Sequence, residues 1–347
     1  MSPQPAKDDP GQTDVLSMFY TPTRAIGKEP LNKPPHRGES GGAETTPGQP
    51  WPEALRAVNC SIFVLDVRST PATTYGVAAG LAAILERPDM TARAPALFVG
   101  HGSPMNAIED TPSARGWAEI AQRFAKPRAI VAISAHWVTD GVRVMSNAQP
   151  KTIHDFGRGF PQALFDVRYP APGDPALARE IVEKLSAFGA RLDDSWGLDH
   201  GAWSVLRRMY PEADAPVVQV SLDARRPPQE HYEIARALGP LRDDGVLILA
   251  AGNIVHNLAA FFRTKQLEPW VERFDRFVAD AAASGDDGAV LRYGAHPDAR
   301  EAAPDWEHFF PVFYALGARR DGESAYLFNQ HYEPGLSMTA FAYGLAQ

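Results

Sequence analysis

The chain has 347 residues, 44% of them hydrophobic, with a formal net charge of −8 and a pI near 5.7. The acidic balance argues against a nucleic-acid or anionic-membrane partner, and no stretch is long and apolar enough to span a bilayer. Cys60 is the only cysteine, so a disulfide framework and a thiolate metal site are excluded, and any metal must be held by imidazole and carboxylate groups. The N-terminus lacks the layout of a secretory signal, and we expect a cytoplasmic protein.

The first part of the chain, residues 1–89, shows little regular pattern. Residues 1 to about 52 hold 10 of the 31 prolines, mixed with glycine, hydroxyl and charged residues, which is typical of weakly ordered segments. We therefore interpret 1–89 as a weakly ordered N-terminal extension and 90–347 as a single folded domain. Because Met90 stands just before the first convincing strand, we also hypothesise that the native start lies there.

From Ala96 onward, short apolar runs alternate with stretches of helical periodicity. This alternation predicts an α/β fold, with a central mostly parallel or mixed sheet, helices on both faces and ligands bound at strand ends. A long loop over 151–162 is rich in glycine and aromatic residues, which is typical of functional loops. Strands are predicted at 96–99, 128–136, 142–146, 217–222, 245–252, 324–328 and 338–343. Helices are predicted at 112–124, 174–188, 228–242, 269–283 and 306–317, and a further short helix follows the motif at 198–203 and ends at 210.

Histidines follow three of the predicted buried strands. His101 follows the first strand and lies between two glycines, His136 ends the second, and His256 comes shortly after the strand at 245–252. Two or three imidazoles that converge on one point can bind a metal ion, so this repeated placement favours a histidine-based metal site. No His-Glu-x-x-His motif, phosphate-binding loop or dinucleotide fingerprint is present, and spacing alone does not show that these rings converge.

Further histidines each have two interpretations. His200 follows Asp199, whose carboxylate either raises the basicity of the imidazole or makes a structural hydrogen bond. His154, in the long loop, is either a lid residue that contacts substrate or an exposed side chain. His308 is either a ligand or part of a packed, aromatic-rich helix start. The histidines without a motif, which we interpret as surface residues, are His36, His231, His296 and His331.

Five ordered motifs in this sequence resemble those of the class III extradiol ring-cleavage dioxygenases, most closely the DOPA 4,5-dioxygenase branch. The resemblance extends from about Pro95 to the C-terminus. It implies a single-domain α/β sandwich that holds a non-haem metal, with 90–347 as a single extradiol dioxygenase-like catalytic domain. The motifs are Gly100-His101-Gly102-Ser103-Pro104-Met105-Asn106, Ser134-Ala135-His136-Trp137, Ile153-His154-Asp155-Phe156, Asp199-His200-Gly201-Ala202-Trp203 and Gly252-Asn253-Ile254-Val255-His256-Asn257.

The resemblance also implies a set of metal ligands. Carried over to this sequence, they are His101, His136 and His308. Related enzymes use two histidines and a carboxylate, so the adjacent Glu307 is the rival of His308. His256 lies beside the metal in this scheme, as an acid–base catalyst or as a further ligand.

The remaining site roles complete the scheme. His200 assists His256 in proton transfer, and His154 and Asn253 contact the substrate. The amides of Asn253 and Asn257 flank His256 in the sequence and are suited to orienting its ring.

The implied activity is extradiol cleavage of a DOPA-like catechol by O2, at the 4,5 position, to a muconic semialdehyde. Fe(II) is the metal expected for catalysis, although Zn(II) also binds imidazole sites readily. The expected partners are a catechol-type small molecule and O2, with no nucleic acid and no membrane. Two alternatives remain open: a Zn(II)-dependent hydrolase or lyase that uses the same histidines, and a non-catalytic binding module of the same fold.

Overall fold

In the computed structural model of the chain, residues 93–345 are described. The predicted extension 1–89, with its hypothesis of a start at Met90, lies outside this range, and so does His36. No helix of the described part is long and apolar enough to cross a membrane. The strands are β1 (Ala96–Gly100), β2 (Ala129–Ser134), β3 (Val138–Thr139), β4 (Arg143–Met145), β5 (Arg191–Asp193), β6 (Val217–Gln219), β7 (Leu222–Asp223), β8 (Val246–Gly252), β9 (Tyr326–Phe328), β10 (Tyr332–Glu333), β11 (Leu336–Ser337) and β12 (Ala340–Tyr343).

Helices connect most of these strands. Several begin at a proline, which fits the first helical turn because its missing N–H is not needed there. Between residues 93 and 345 the α-helices are α1 (Pro112–Ala121), α2 (Gln162–Phe165), α3 (Pro175–Lys184), α4 (His200–Met209), α5 (Pro228–Leu238), α6 (Leu258–Arg263), α7 (Pro269–Ser284), α8 (Asp287–Leu291), α9 (Ala299–Ala302) and α10 (Pro311–Ala318). Short 3₁₀ turns lie at Pro104–Ala107, Ser186–Phe188, Gly239–Asp244, Tyr293–Ala295 and Trp306–His308.

The main sheet has six strands in the order β6-β2-β8-β1-β12-β9. The first four are parallel, whereas β12 pairs antiparallel with both β1 and β9. Gly100 lies opposite Gly252 and Ser134 lies opposite Ala251, so β1, β2 and β8 end at the same level. The carboxyl ends of these three strands therefore form one edge, where the chain places its strand-end histidines.

Both faces of the sheet are covered, as the sequence predicts. Side chains of a strand alternate between the two faces. Leu97 and Leu249 pack on one face with residues of α1 and α4. Phe98 and Ile248 pack on the other face with residues of α3, α5, α7 and α10. The predicted α/β class with a mostly parallel central sheet is therefore confirmed.

Four predicted elements are divided in the structure, since the helices predicted over 174–188 and 228–242 each consist of an α-helix followed by a 3₁₀ turn. The strand predicted over 217–222 is divided into β6, which joins the main sheet, and β7, which pairs with β3 in a small second sheet. The helix predicted over 306–317 consists of the 3₁₀ turn Trp306–His308 followed by α10. This break matters for the site, because it frees His308 from the regular helix.

The prediction that His231 is a surface residue is wrong. The side chain is fully buried between α5 and α10, where its Nδ1 lies 3.1 Å from the Tyr314 hydroxyl and its Nε2 lies 3.2 Å from the Asp223 carbonyl oxygen. His296 and His331 are half-buried: the first packs on two phenylalanine rings, and the second pairs with Ser113. These three side chains lie in packed contacts of the fold.

Candidate metal centre

The loop after β1 holds His101 at the sheet edge. The ring is buried, and the backbone N–H of His101 donates to the Gly252 carbonyl at 2.9 Å, which ties the end of β1 to the end of β8. The amide of Asn106 donates to the His101 carbonyl at 3.1 Å and closes the following turn. The histidine backbone is thus held on both sides.

His136 reaches the same place from β2. Its Nε2 lies 3.1 Å from the Nε2 of His101. Helix α4 packs tightly here, because a Cβ at Gly201 would lie 2.4 Å from Ser134 Oγ and 2.9 Å from His136 Cδ2. Only glycine permits this approach of the first turn of α4 to the end of β2.

His200, at the start of α4, joins the cluster through the carboxylate of Asp155, a residue without an assigned role in the sequence motifs. Oδ1 of Asp155 accepts hydrogen bonds from the backbone N–H of His200 at 2.9 Å and from its Nδ1 at 3.0 Å. Oδ2 of the same carboxylate lies 3.3 Å from Nδ1 of His136. The signal available in the sequence was the position of Asp155, next to His154 in the long loop at 151–162.

Asp199, the sequence neighbour of His200, makes its hydrogen bonds to other residues. Its Oδ1 accepts from the backbone N–H of Ala202 and caps α4, and its Oδ2 accepts from the side-chain amide of Gln219 at 2.8 Å. Burial, together with the nearby charge of Asp155, raises the pKa of Asp199 to about 6. Its hydrogen bonds are therefore structural, and its charge also contributes, after that of Asp155, to outweighing burial and raising the pKa of His200.

His308 and His256 complete the group of rings. A Cβ at Gly252 would lie 2.3 Å from the His308 carbonyl oxygen, which also accepts the Asn253 N–H at 2.7 Å, so glycine lets the 3₁₀ turn approach the end of β8. The His308 ring centroid lies 5.4 Å from that of His101 and 5.0 Å from that of His136. His256 stacks on His308 with centroids 3.6 Å apart.

The asparagines near His256 hydrogen-bond to backbone groups. Asn253 accepts from the Gly102 N–H at 3.2 Å and donates to the Ser337 carbonyl at 2.8 Å. Asn257 caps α6 and donates to the Glu301 carbonyl. These amides fix the strand-end loops, and the predicted contact of Asn253 with substrate stays a prediction.

His154 lies at the aromatic side of the site. Its Nε2 is 3.1 Å from the Val167 carbonyl oxygen, and its ring lies against Phe156 and Trp203 with centroids 5.7 Å away in each case. The ring is half-buried. Its predicted contact with substrate also stays a prediction.

Burial controls the charge of most of these imidazoles. It lowers the pKa of His136 to about 3 and that of His256 to about 4, and it lowers the pKa of His101 and His308 well below the usual value. Burial acts in the same direction on His200, but the charge and hydrogen bond of Asp155 outweigh it and raise the pKa of His200. At neutral pH the first four rings are therefore neutral and carry a free lone pair.

These features fit a metal ion held by imidazoles. One ligand atom each from His101, His136 and His200 lies within 4.8 Å of the others. The 3.1 Å between the Nε2 atoms of His101 and His136 is near the roughly 3 Å expected for two nitrogens at a right angle around an ion about 2.1 Å away. Among residues 93–345, the buried Nδ1 atoms of His101 and His308 have no hydrogen-bond partner.

The comparison with protein families agrees with this site. The family model described as the catalytic LigB subunit of aromatic ring-opening dioxygenase matches residues 95–344. The chain therefore belongs to this family, whose members are class III extradiol dioxygenases that cleave aromatic rings and require a metal. The family resemblance derived from the five motifs is confirmed, and a small aromatic substrate and O2 follow from it.

Individual relatives agree with this assignment. A 4,5-DOPA dioxygenase extradiol of Escherichia coli K12 is 45% identical over 232 residues, which cover 65% of this chain and 85% of the relative. A protein of the same name from Beta vulgaris is 37% identical over 247 residues, which cover 69% of this chain and 92% of the relative. The crystal structure of an uncharacterized Escherichia coli K12 protein aligns with a TM-score of 0.64 at 38% identity, and the match covers 73% of this chain and all of that one.

Proposed function

We propose that this extradiol dioxygenase opens a DOPA-like catechol at the 4,5 position, with Fe(II) as its metal, and releases a muconic semialdehyde. The observation that carries the proposal is the convergence of neutral, buried imidazoles from separate strand ends, with the Nε2 atoms of His101 and His136 only 3.1 Å apart. The names of the relatives from Escherichia coli and Beta vulgaris support the choice of substrate.

The proposed ligands of Fe(II) are His101, His136 and His308. His308 is included because it is buried, lies beside both other rings and has an Nδ1 without a hydrogen-bond partner among the described residues. His200, whose ligand atom is in the compact group of three, is the rival third ligand. When bound, Fe(II) supplies the redox chemistry that allows triplet dioxygen to react with a singlet catechol.

The chain's own residues handle the protons. His256 has a pKa lowered to about 4 by burial, so its ring is neutral at pH 7 and can accept the proton that a catechol hydroxyl loses on binding. The pKa of His200 is raised because the Asp155 carboxylate outweighs burial, so this ring is better suited to holding a proton and returning it. The pair thus divides the roles of base and acid.

The aromatic side of the site offers a place for the substrate ring. Phe156, His154 and Trp203 lie in mutual ring contact, and Phe156 also packs edge-on against His200 at 5.5 Å. Aromatic side chains pack favourably against a flat ring in edge-to-face or offset geometry. We place the catechol between this aromatic group and the imidazole cluster, with its hydroxyls toward the cluster.

The test is O2 uptake by protein reconstituted anaerobically with Fe(II) and then exposed to air with L-DOPA or unsubstituted catechol. We expect O2 consumption and a yellow ring-opened product that depend on Fe(II), faster with L-DOPA than with catechol. Zn(II)-loaded protein is the control and should consume no O2. Absence of uptake with every catechol would contradict the proposal and favour hydrolase or lyase chemistry with Zn(II), or a binding role.

A further inference from the structure

We propose that Asp155 is a positioning residue that fixes the tautomers of His136 and His200 together, so that both rings present Nε2 to the imidazole cluster. The inference rests on the proposed function of this site and assigns a specific task to a residue of the long loop. A single carboxylate would thereby prepare two imidazoles from different secondary-structure elements for metal binding and proton transfer.

The contacts of Asp155 favour one position for the proton on each ring. Oδ1 accepts a hydrogen bond from Nδ1 of His200 at 3.0 Å, whereas the negatively charged Oδ2 lies 3.3 Å from Nδ1 of His136 and has no hydrogen-bond partner among the described residues. An ionised carboxylate only accepts hydrogen bonds, so its bond to His200 and its negative charge beside His136 both favour a proton on Nδ1. In the neutral form of each ring Nε2 then carries the free lone pair, and that of His136 is the atom 3.1 Å from Nε2 of His101.

The carboxylate is itself held in place. The backbone N–H of His200, at the start of α4, donates to Oδ1 at 2.9 Å, and the side chain of Asp155 is only 18% exposed. The other buried carboxylate nearby, Asp199, is occupied by Ala202 and Gln219. Asp155 therefore links the long loop, the end of β2 and the start of α4 at one point.

Asp155→Asn tests the idea with little change of shape. The asparagine amide presents N–H groups on one side, so at least one ring must accept through Nδ1 and carry its proton on Nε2. That ring loses the lone pair it needs toward the cluster. Loss of a carboxylate that orients a ligating histidine lowers metal affinity by roughly 10–100-fold.

The first experiment is a titration of metal-free protein with Co(II), followed by its visible absorption, for wild type, Asp155→Asn and Asp174→Asn. Asp174 is the matched control, because its carboxylate accepts two backbone N–H groups at the start of α3. We expect Kd to rise roughly 10–100-fold for Asp155→Asn, with an altered cobalt spectrum, and to stay within about twofold for Asp174→Asn.

The outcomes separate this inference from the proposed function. Equal Kd values for wild type and Asp155→Asn would overturn the inference alone, whereas no Co(II) binding by wild type would overturn both. The melting temperature of the metal-free proteins shows whether the fold is intact. Asp155→Ala, which removes the carboxylate without adding a donor, replaces the asparagine variant if that variant does not fold, and the same rise in Kd is expected.

A double-mutant cycle with His200→Ala identifies the ring through which Asp155 acts. In the His200→Ala background, Asp155→Asn should still weaken Co(II) binding, because His136 remains. Its further effect on kcat, measured at saturating Fe(II), should disappear. An equal fall in kcat in both backgrounds would show that Asp155 does not act on turnover through His200.

Discussion

The rings of His256 and His308 stack on each other, yet we assign them different roles. His256 is the proton acceptor, and removal of a general base typically costs 10²–10⁴-fold in rate. We therefore expect His256→Ala to lower kcat by roughly 10²–10⁴-fold while most of the bound iron is retained. Iron content and O2 uptake on the same preparation check this, and a parallel loss of both would make His256 a plain ligand.

Single substitutions also test which histidine is the third ligand of the metal. His308→Ala should remove most of the bound iron, as should His101→Ala and His136→Ala, because three ligands are needed to hold the ion. His200→Ala should keep its iron but have a lower kcat. Metal analysis after anaerobic purification measures this. Loss of iron in His200→Ala but not in His308→Ala would make His101, His136 and His200 the ligand set.

At the scale of elements, the 3₁₀ turn that carries His308 depends on one glycine of β8. A methyl group at Gly252 would meet the His308 carbonyl oxygen at 2.3 Å, and backbone cannot move aside as a flexible side chain does. We expect Gly252→Ala to destabilise the fold by about 1–3 kcal/mol and to lower iron content. Gly294→Ala is the control, since its added Cβ would contact nothing within 4 Å; equal stability of the two variants would contradict the argument.

The contact between α5 and α10 should make stability depend on pH. Burial lowers the pKa of His231 from 6.5 to about 4, so the unfolded chain takes up the proton first as pH falls. The contribution of this ring is therefore complete above pH 6.5 and is lost toward pH 4. Denaturant unfolding of wild type and His231→Gln should show the stability advantage of wild type shrinking by about 2 kcal/mol between pH 7.5 and pH 5. A constant difference would contradict the assignment.

Apolar runs predicted the elements that form the site. The runs of β1, β2 and β8 are long enough to identify as strands, so the positions of His101, His136 and His256 at strand ends followed from them. The strands β3, β5, β10 and β11 have only two or three residues each, carry no periodic signal and were not predicted. The burial of His231 could have been predicted from the sequence, because the residue lies three and seven positions before Ile234 and Leu238 on one face of α5.

At the scale of the whole molecule, the parallel arrangement brings distant residues to one edge. The sequence could predict this edge from the alternation of strands and helices, but it could not show which rings meet there. Asp155 and His200 are 45 residues apart, and only the folded path of the long loop brings them together. The choice between His308 and His200 likewise depends on ring positions that spacing does not encode.

The central claim is that histidines from separate strand ends hold one metal ion beside the proposed catechol site. Anomalous diffraction at the iron absorption edge, on crystals grown anaerobically with Fe(II), tests it most directly. We predict a single strong peak about 2.1 Å from Nε2 of His101 and of His136, with a nitrogen of His308 completing the set. Crystals of protein that opens catechols but shows no iron at these imidazoles would contradict the account.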